Sequence, residues 1–379
     1  MQTVQVEFRT DFIDLGVGQP AFSLLPTHVI KQAADHRLSH DAAAYLQYGA
    51  EQGDGYFREV LAQFLSDGYG FSVRPDRLFV SSGASQALDL ICTLFVPPGA
   101  VVCVEEPSYF LALNILADHQ LRVVSLPTDG HGLIVDGLEE RLAQLHPTML
   151  YLIPAFQNPT GVTLPSERRE RLVELSHQYD FLIVADEVYH FLHYGVTPPP
   201  SFGAYIDGGH VLALGSFSKI LAPGLRLGWV QAEAKLVQRM VLSGLLDSGG
   251  GLNPFTSGLV RSVLELDLQW PYLAELRATY QQRIAAMTDA LQRYLPDAVY
   301  AVPQGGYFFW LRLPDGLDAE ALLPRADELK VGYRPGIRFS SQGGLRDYVR
   351  LSFAFYDTAT LVEGVRRLGQ AIDQQRAQA

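Results

Sequence analysis

The sequence predicts an α/β fold in three layers, a mostly parallel seven-stranded sheet between helices, with a small α/β domain attached. Two observations carry this. From about residue 78 to 232 short β-branched or apolar runs alternate with helical patterns, and runs without polar alternation belong to strands covered on both faces. Beyond residue 232 the texture changes to long helices followed by a short α/β segment. With 379 residues, 48% of them hydrophobic, the chain has length for two or three domains and core material to fill them.

The strand runs, in order, are LFVSS at 78–82, VVCVE at 101–105, RVVSL at 122–126, MLYLI at 149–153, FLIVAD at 181–186, HVLALGS at 210–216 and LRLGWVQ at 225–231. Between them SQALDLICTLF, SYFLALNILADH, DGLEERLAQL and PSERRERLVELSHQY repeat apolar residues every three or four positions, the spacing of one helix face. Pro165 opens the last of these, because the first helical turn does not need the amide hydrogen that proline lacks. Helices are predicted next at 233–246, about 255–266 and about 271–294, then strands near YFFWLRL and YVRLSF and a closing helix at about 358–376. TPPPSF and SGGGLNP read as loops. The expected division is an N-terminal segment 1–45 packing with the small domain, a large domain 46–280, and a small domain 281–379.

Charge narrows the possible partners. Against 29 Lys and Arg stand 41 Asp and Glu, a net charge of −12, and no dense basic run occurs. Binding to a nucleic-acid backbone by bulk charge is therefore not expected, whereas a small anion needs only a few placed cations. Cys92 and Cys103 are the only cysteines and lie in apolar runs, so they read as buried free thiols. The first residues lack a basic stretch followed by an apolar one, and no apolar run approaches the roughly 18 residues of a membrane span. A cytoplasmic location without a membrane partner is the expectation.

In an open α/β sheet ligands bind beyond the carboxyl ends of the strands, and polar residues gather there in LFVSSGAS, YLIPAFQNPTG, VADEVY and LGSFSK. Lys219 follows an apolar strand; desolvation disfavours its charged form and leaves an amine nucleophile toward an aldehyde, with a surface lysine as the plain alternative. Asp186 closes the apolar FLIVAD, where a carboxylate needs a cation such as a protonated ring nitrogen, with a helix-capping role as the plain alternative. Tyr189 could reach the same ligand or fill core. Gly83, Ala84 and Ser85 join a strand to a helix and could turn backbone amides toward an anion, or simply form a tight turn. Asn158 offers an amide and Tyr109 a ring at two further strand ends. Arg350, inside YVRLSF, suits bidentate grip of a carboxylate or an internal ion pair. His190 and His193 stand near Asp186 and Glu187, but a metal would consume the carboxylate needed elsewhere, so none is expected.

Taken together, LGVGQPAF, LQYGAEQGDGYFREVLAQFL, SSGASQALDL, PSYF, FQNPTG, ADEVY, SFSKILAPGLRLGW and YVRLSFA closely resemble the class I/II aminotransferases of the pyridoxal-phosphate fold-type I superfamily. The resemblance runs from Leu15 to about Leu368 and points to the branch holding α-aminoadipate and kynurenine aminotransferases and the aminotransferase-like domains of certain bacterial regulators. It implies that Lys219 bonds covalently to pyridoxal phosphate and then moves a proton between the substrate Cα and cofactor C4′. Asp186 is implied to pair with the ring nitrogen, Asn158 and Tyr189 to bond the phenolic oxygen, and Tyr109 to stack on the ring. Gly83, Ala84, Ser85, Ser216, Ser218 and Arg226 match the phosphate cradle. Tyr48 matches a tyrosine that reaches the phosphate from the neighbouring subunit, implying a homodimer. Arg350 matches the arginine that holds the substrate α-carboxylate, with Asn158 and the backbone at Gly18 nearby. Cis peptides are implied before Pro107 and Pro159.

One position departs from the pattern of the aspartate-specific branch, which places an arginine five residues before an Asn-Pro pair. Here that position is Ser248, ahead of Asn253-Pro254, and the segment from Ala21 to Leu25 has no arginine either. Apolar or aromatic substrates, branched or aminoadipate-like ones included, are expected, with an acceptor such as 2-oxoglutarate. Arg334 and Arg338 are candidates for a distal cation. Two rival readings are a lyase or decarboxylase on the same cofactor site, and a ligand-sensing regulator domain.

Overall fold

The computed structural model describes residues 4–5, 9, 11–39 and 42–377. Close to the N-terminus, Ile13–Asp14 forms β1. The following strands are Leu78–Ser81 (β2), Val101–Glu106 (β3), Arg122–Asp129 (β4), Gly132–Leu133 (β5), Met149–Leu152 (β6), Leu182–Asp186 (β7), Val211–Ser216 (β8) and Gly228–Ala232 (β9). Toward the C-terminus lie Val299–Tyr300 (β10), Phe308–Arg312 (β11), Val331–Gly332 (β12), Arg334–Pro335 (β13) and Tyr348–Ser352 (β14).

Strands β2 to β9 make one sheet in the order β2-β9-β8-β7-β6-β3-β4-β5. The pairs β8-β7, β7-β6, β6-β3 and β3-β4 are parallel, while β9 runs antiparallel to both its neighbours. Alternate residues serve opposite faces, as the pleat requires. Met149, Tyr151, Val184, Leu212 and Leu214 join the larger apolar core, whereas Leu150, Leu152, Ile183, Ala185 and Ala213 face the smaller one. That two-sided burial is why these strands read as unbroken apolar runs.

The sheet has eight strands rather than seven, because Asp129 to Gly132 turns the chain back and β5 pairs with the end of β4. The seventh run starts later than its apolar character suggests. Pro223–Leu225 is a short 3-10 turn and Arg226 has a left-handed φ of 47°, so β9 begins only at Gly228. The helix expected at 233–246 is two, Ala234–Val241 and Gly244–Gly249, because Ser243 is extended between them. Other helices follow their patterns, Phe110–Asp118, Leu138–Leu145, Ser166–Tyr179, Pro254–Glu265 and Gln269–Tyr294 among them.

A second, antiparallel sheet has the order β10-β11-β14-β13, and the closing helix Thr358–Arg376 packs against Gln269–Tyr294 and meets β1 and β12. The N-terminal segment has two attachments. β1 pairs in parallel with β12 beside this sheet, while helix Thr27–Leu38 packs on Pro254–Glu265, where Arg37 Nε donates to Gly258 O at 3.1 Å and Ser262 Oγ at 2.9 Å. Peptides Glu106-Pro107 and Asn158-Pro159 are cis. Cys92 and Cys103 are buried free thiols. Among the described residues no helix is long and apolar enough to cross a membrane.

Candidate active site

A cavity of about 630 Å³ opens where β6, β7 and β8 end. Ten of the anticipated residues line it: Ala84, Ser85, Tyr109, Asn158, Asp186, Tyr189, Ser216, Ser218, Lys219 and Arg226. They arrive from separate strand ends, which is what a parallel sheet provides: every loop after a parallel strand emerges on one edge.

Lys219, three residues past β8, donates from Nζ to Gly18 O at 3.1 Å. Its amine lies 5.3 Å from the Tyr307 ring centre and 6.0 Å from that of Tyr189. Burial, helped by the charge of Arg350 and opposed by Asp186, pushes its pKa down to about 8. An amine so placed is deprotonated far more readily than an exposed lysine and is a competent nucleophile.

Asp186 ends β7, and its Oδ2 accepts from the Tyr151 hydroxyl at 2.9 Å. Oδ1 is buried without a hydrogen-bond partner among the described residues. Burial pushes this carboxyl up to about 6, against the opposing effects of the Tyr151 bond, the Val188 backbone amide and the Lys219 charge. Burial likewise raises the Tyr109 phenol to about 12 and drives the Tyr189 phenol higher still, so both are neutral donors near neutral pH.

At the other end of the cavity, helix Ala84–Phe95 starts after Gly83, whose φ of 93° suits only glycine. A Cβ there would fall 2.8 Å from Arg226 Nη2. Arg226 donates to Ser82 O at 2.9 Å, to Pro223 O at 3.3 Å and to Ser218 Oγ at 3.4 Å, and has no carboxylate partner among the described residues. Ser218 in turn accepts from Ser216 Oγ at 2.9 Å. Asn253, not anticipated as a cradle residue because it follows a glycine-rich loop far along the chain, donates to Ser82 Oγ at 3.1 Å and to the Arg226 carbonyl. A guanidinium, hydroxyls and a helix N-terminus without a counter-charge form an anion site.

Arg350 lies in the middle of β14 and is 3% exposed. Nη1 donates to Asn158 Oδ1 at 2.9 Å and Nη2 to Gly16 O at 2.8 Å. Its guanidinium lies over the Phe308 ring at 4.0 Å. No carboxylate pairs with it among the described residues, and burial pushes its pKa down to about 10. A Cβ on Gly18 would fall 3.0 Å from the Phe308 ring on which the guanidinium lies, so glycine there lets the backbone approach that ring.

Three anticipated residues stand apart. Tyr48 is 80% exposed and lines a different cavity with Tyr45, Tyr56 and Arg261. Arg334 is held by Asp14 through two bonds, at 3.0 and 3.1 Å, and does not line this cavity. Arg338 is exposed and does not line the cavity. Beside them, His190 is buried with Nδ1 3.9 Å from Glu187, and no cluster able to hold a metal ion occurs among the described residues. Tyr151 and Tyr307 belong to the site's surroundings although neither stood out in sequence, since a tyrosine in an apolar run reads as core.

The residues fit pyridoxal phosphate at three points. The depressed Lys219 amine suits its aldehyde, the partnerless Asp186 oxygen a protonated ring nitrogen, and the Gly83–Arg226 end its phosphate. Comparison with known proteins agrees. The family "Aminotransferase class I and II" matches residues 10–368. Aromatic-amino-acid aminotransferase 1 of Thermococcus litoralis is 36% identical over 376 residues, 97% of this chain and 89% of the relative. The structure of Pyrococcus horikoshii kynurenine aminotransferase in complex with PMP superposes with a TM-score of 0.90 at 33% identity, covering 97% of this chain and 92% of that one. That of LysN, the α-aminoadipate aminotransferase of Thermus thermophilus complexed with N-(5'-phosphopyridoxyl)-L-leucine, gives 0.88 at 33% identity, covering 98% and 94%.

Proposed function

The chain belongs to the class I and II aminotransferases and is a pyridoxal-phosphate-dependent aminotransferase, and from that premise we propose roles for its residues, its substrates and its assembly. Pyridoxal phosphate, when bound, supplies an aldehyde that captures amines and an electron-poor ring that stabilises negative charge at the substrate Cα. Lys219 would hold the aldehyde end, and its amine, once released by an incoming substrate amine, would be placed to take the proton from the substrate Cα. Asp186 balances the charge on the ring nitrogen. Asn158 and Tyr189 hold the phenolic oxygen, Tyr109 covers the ring, and Gly83, Ala84, Ser85, Ser216, Ser218 and Arg226 hold the phosphate. Arg350 grips the α-carboxylate of donor and acceptor alike, oriented by Asn158 and the Gly16 to Gly18 backbone. The observation that carries this assignment is the convergence of a buried lysine amine, a carboxylate oxygen without a hydrogen-bond partner among the described residues and a buried guanidinium without a carboxylate.

For substrates we propose L-amino acids with aromatic, branched or aminoadipate-like side chains and 2-oxoglutarate or a similar 2-oxo acid as acceptor. Pro20, Phe22, Leu25, Leu111 and Phe355 give the remaining cavity wall an apolar character; among the described residues lining it the cations are Lys219 and Arg226, with Arg350 behind Asn158. All three are already engaged, so a second substrate carboxylate has no dedicated guanidinium. Relatives named for aromatic amino acids, kynurenine and α-aminoadipate support the aromatic and aminoadipate-like part of that range. A cytoplasmic homodimer with Tyr48 completing the partner's phosphate site, and the division at residues 45 and 280, complete the proposal.

A half-reaction screen tests it. The holoenzyme mixed with aromatic, branched and dicarboxylic amino acids should release the matching 2-oxo acids, fastest for the first two groups, with about 100-fold preference over aspartate. Lys219→Ala should abolish release; turnover by that variant would refute the assignment of Lys219. Release of ammonia or carbon dioxide without a 2-oxo acid acceptor would refute the transfer reaction.

A further inference from the structure

We infer that Tyr151 is a positioning residue that fixes which oxygen of Asp186 is offered to the cofactor ring, an inference that rests on the proposed role of Asp186. The backbone brings the two together. In the parallel β6-β7 pair Tyr151 stands opposite Val184, and Asp186, two residues beyond Val184, projects from the same face of the sheet. Both side chains are buried, and the phenol meets Oδ2 at 2.9 Å. An ionised carboxylate can only accept, so the phenol is the donor and the bond has one direction. With Oδ2 occupied and Oδ1 without a partner, the carboxylate presents a single oxygen.

Other charged or titratable side chains face Asp186. Lys219 comes from beyond β8, Tyr109 from the loop after β3, and Glu187 and Tyr189 from its own segment. Of all these only Tyr151 hydrogen-bonds it. The bond works against burial, which raises the proton affinity of Asp186. Without it Oδ2 would be left unpaired in the core, and the carboxylate would be both freer to rotate and more basic. A protonated Asp186 cannot balance a ring N–H charge, so loss of the phenol moves the pH at which cofactor is held, something a purely packing role would not do.

The test is equilibrium dialysis of the holoenzyme against graded pyridoxal phosphate between about pH 5 and about pH 9, on wild type, Tyr151→Phe, Asp186→Asn and the double variant. Tyr151→Phe should weaken cofactor binding about tenfold near neutrality and move the acid limb of the binding profile up by about one pH unit. In the Asp186→Asn background the same substitution should change neither quantity. If Asp186→Asn weakens binding while Tyr151→Phe stays within twofold of wild type at every pH, or if the two effects simply add, the Tyr151 inference is overturned and the Asp186 assignment stands. If Asp186→Asn itself leaves binding and its pH profile unchanged, the Asp186 assignment fails first. Should Tyr151→Phe not fold while the double variant does, the unpaired carboxylate is the cause and the coupling is supported; failure of both to fold would mark Tyr151 as a packing residue.

Discussion

Buried ionisable side chains set the behaviour of this protein at the level of single residues. Arg350 makes its two hydrogen bonds through the ends of a planar fork, over a phenyl ring, and lysine reproduces neither feature. Arg350→Lys should raise KM about 100-fold for amino and oxo acids alike, with a smaller fall in kcat, as steady-state kinetics with both substrate types would reveal. Two carboxyls away from the cofactor contacts predict the response to pH. Burial pushes Glu105 up to about 8 and Glu187 to about 7. Near pH 7 the folded chain therefore holds protons that the unfolded chain has released, and its stability falls as pH rises through these values. Buried His190 and His193, pushed down to about 3 and about 4, have the opposite effect, but only below the ordinary histidine value. The fall is thus clearest between about pH 6.5 and about pH 8. Urea unfolding of cofactor-free protein across that window should show it, and Glu105→Gln should flatten it.

At the level of elements, the strand-to-helix turn at Gly83 is the most constrained. Gly83→Ala places a Cβ at a φ of 93° and against Arg226. We expect a loss of about 1–3 kcal/mol in stability and more than tenfold in cofactor affinity, read by chemical denaturation and dialysis. Elements were legible from sequence where a single pattern ruled them. Strands β6, β7 and β8 are buried on both faces and show as apolar runs; helix Ser166–Tyr179 shows its opening proline and its spacing. Less legible were β5, β10 and β13, two residues each, whose existence depends on a partner strand rather than on their own composition. The break at Ser243 and the late start of β9 are backbone choices that an apolar pattern conceals. The site was legible for a related reason: strand ends carry its polar residues, so Lys219, Asp186 and Asn158 stood out against apolar neighbours. Tyr151 could not, because its meaning comes from the β6-β7 register.

For the whole molecule, the proposed homodimer is the property to test. Leu46 is 76% exposed, Leu242 65% and Leu245 59%, alongside Tyr48. Covering them against a second copy would remove large apolar side chains from water. Sedimentation should give twice the chain mass, and Leu245→Asp should shift the protein toward monomer and lower turnover at least tenfold if Tyr48 serves the partner's site.

The bond from Arg350 to Gly16 O joins positions 334 residues apart, and β1 reaches β12 across a similar span. During synthesis the strands β2 to β9 can pair among themselves while the ribosome is still at work, but the carboxylate grip cannot be assembled until nearly the last helix has been made. One half is made before strands β2 to β9 and the other after them. Such distant closure is slow, so catalytic competence should lag behind the recovery of helical signal during refolding. A chain arrested before Arg350 could own much of the large sheet yet be unable to grip a substrate.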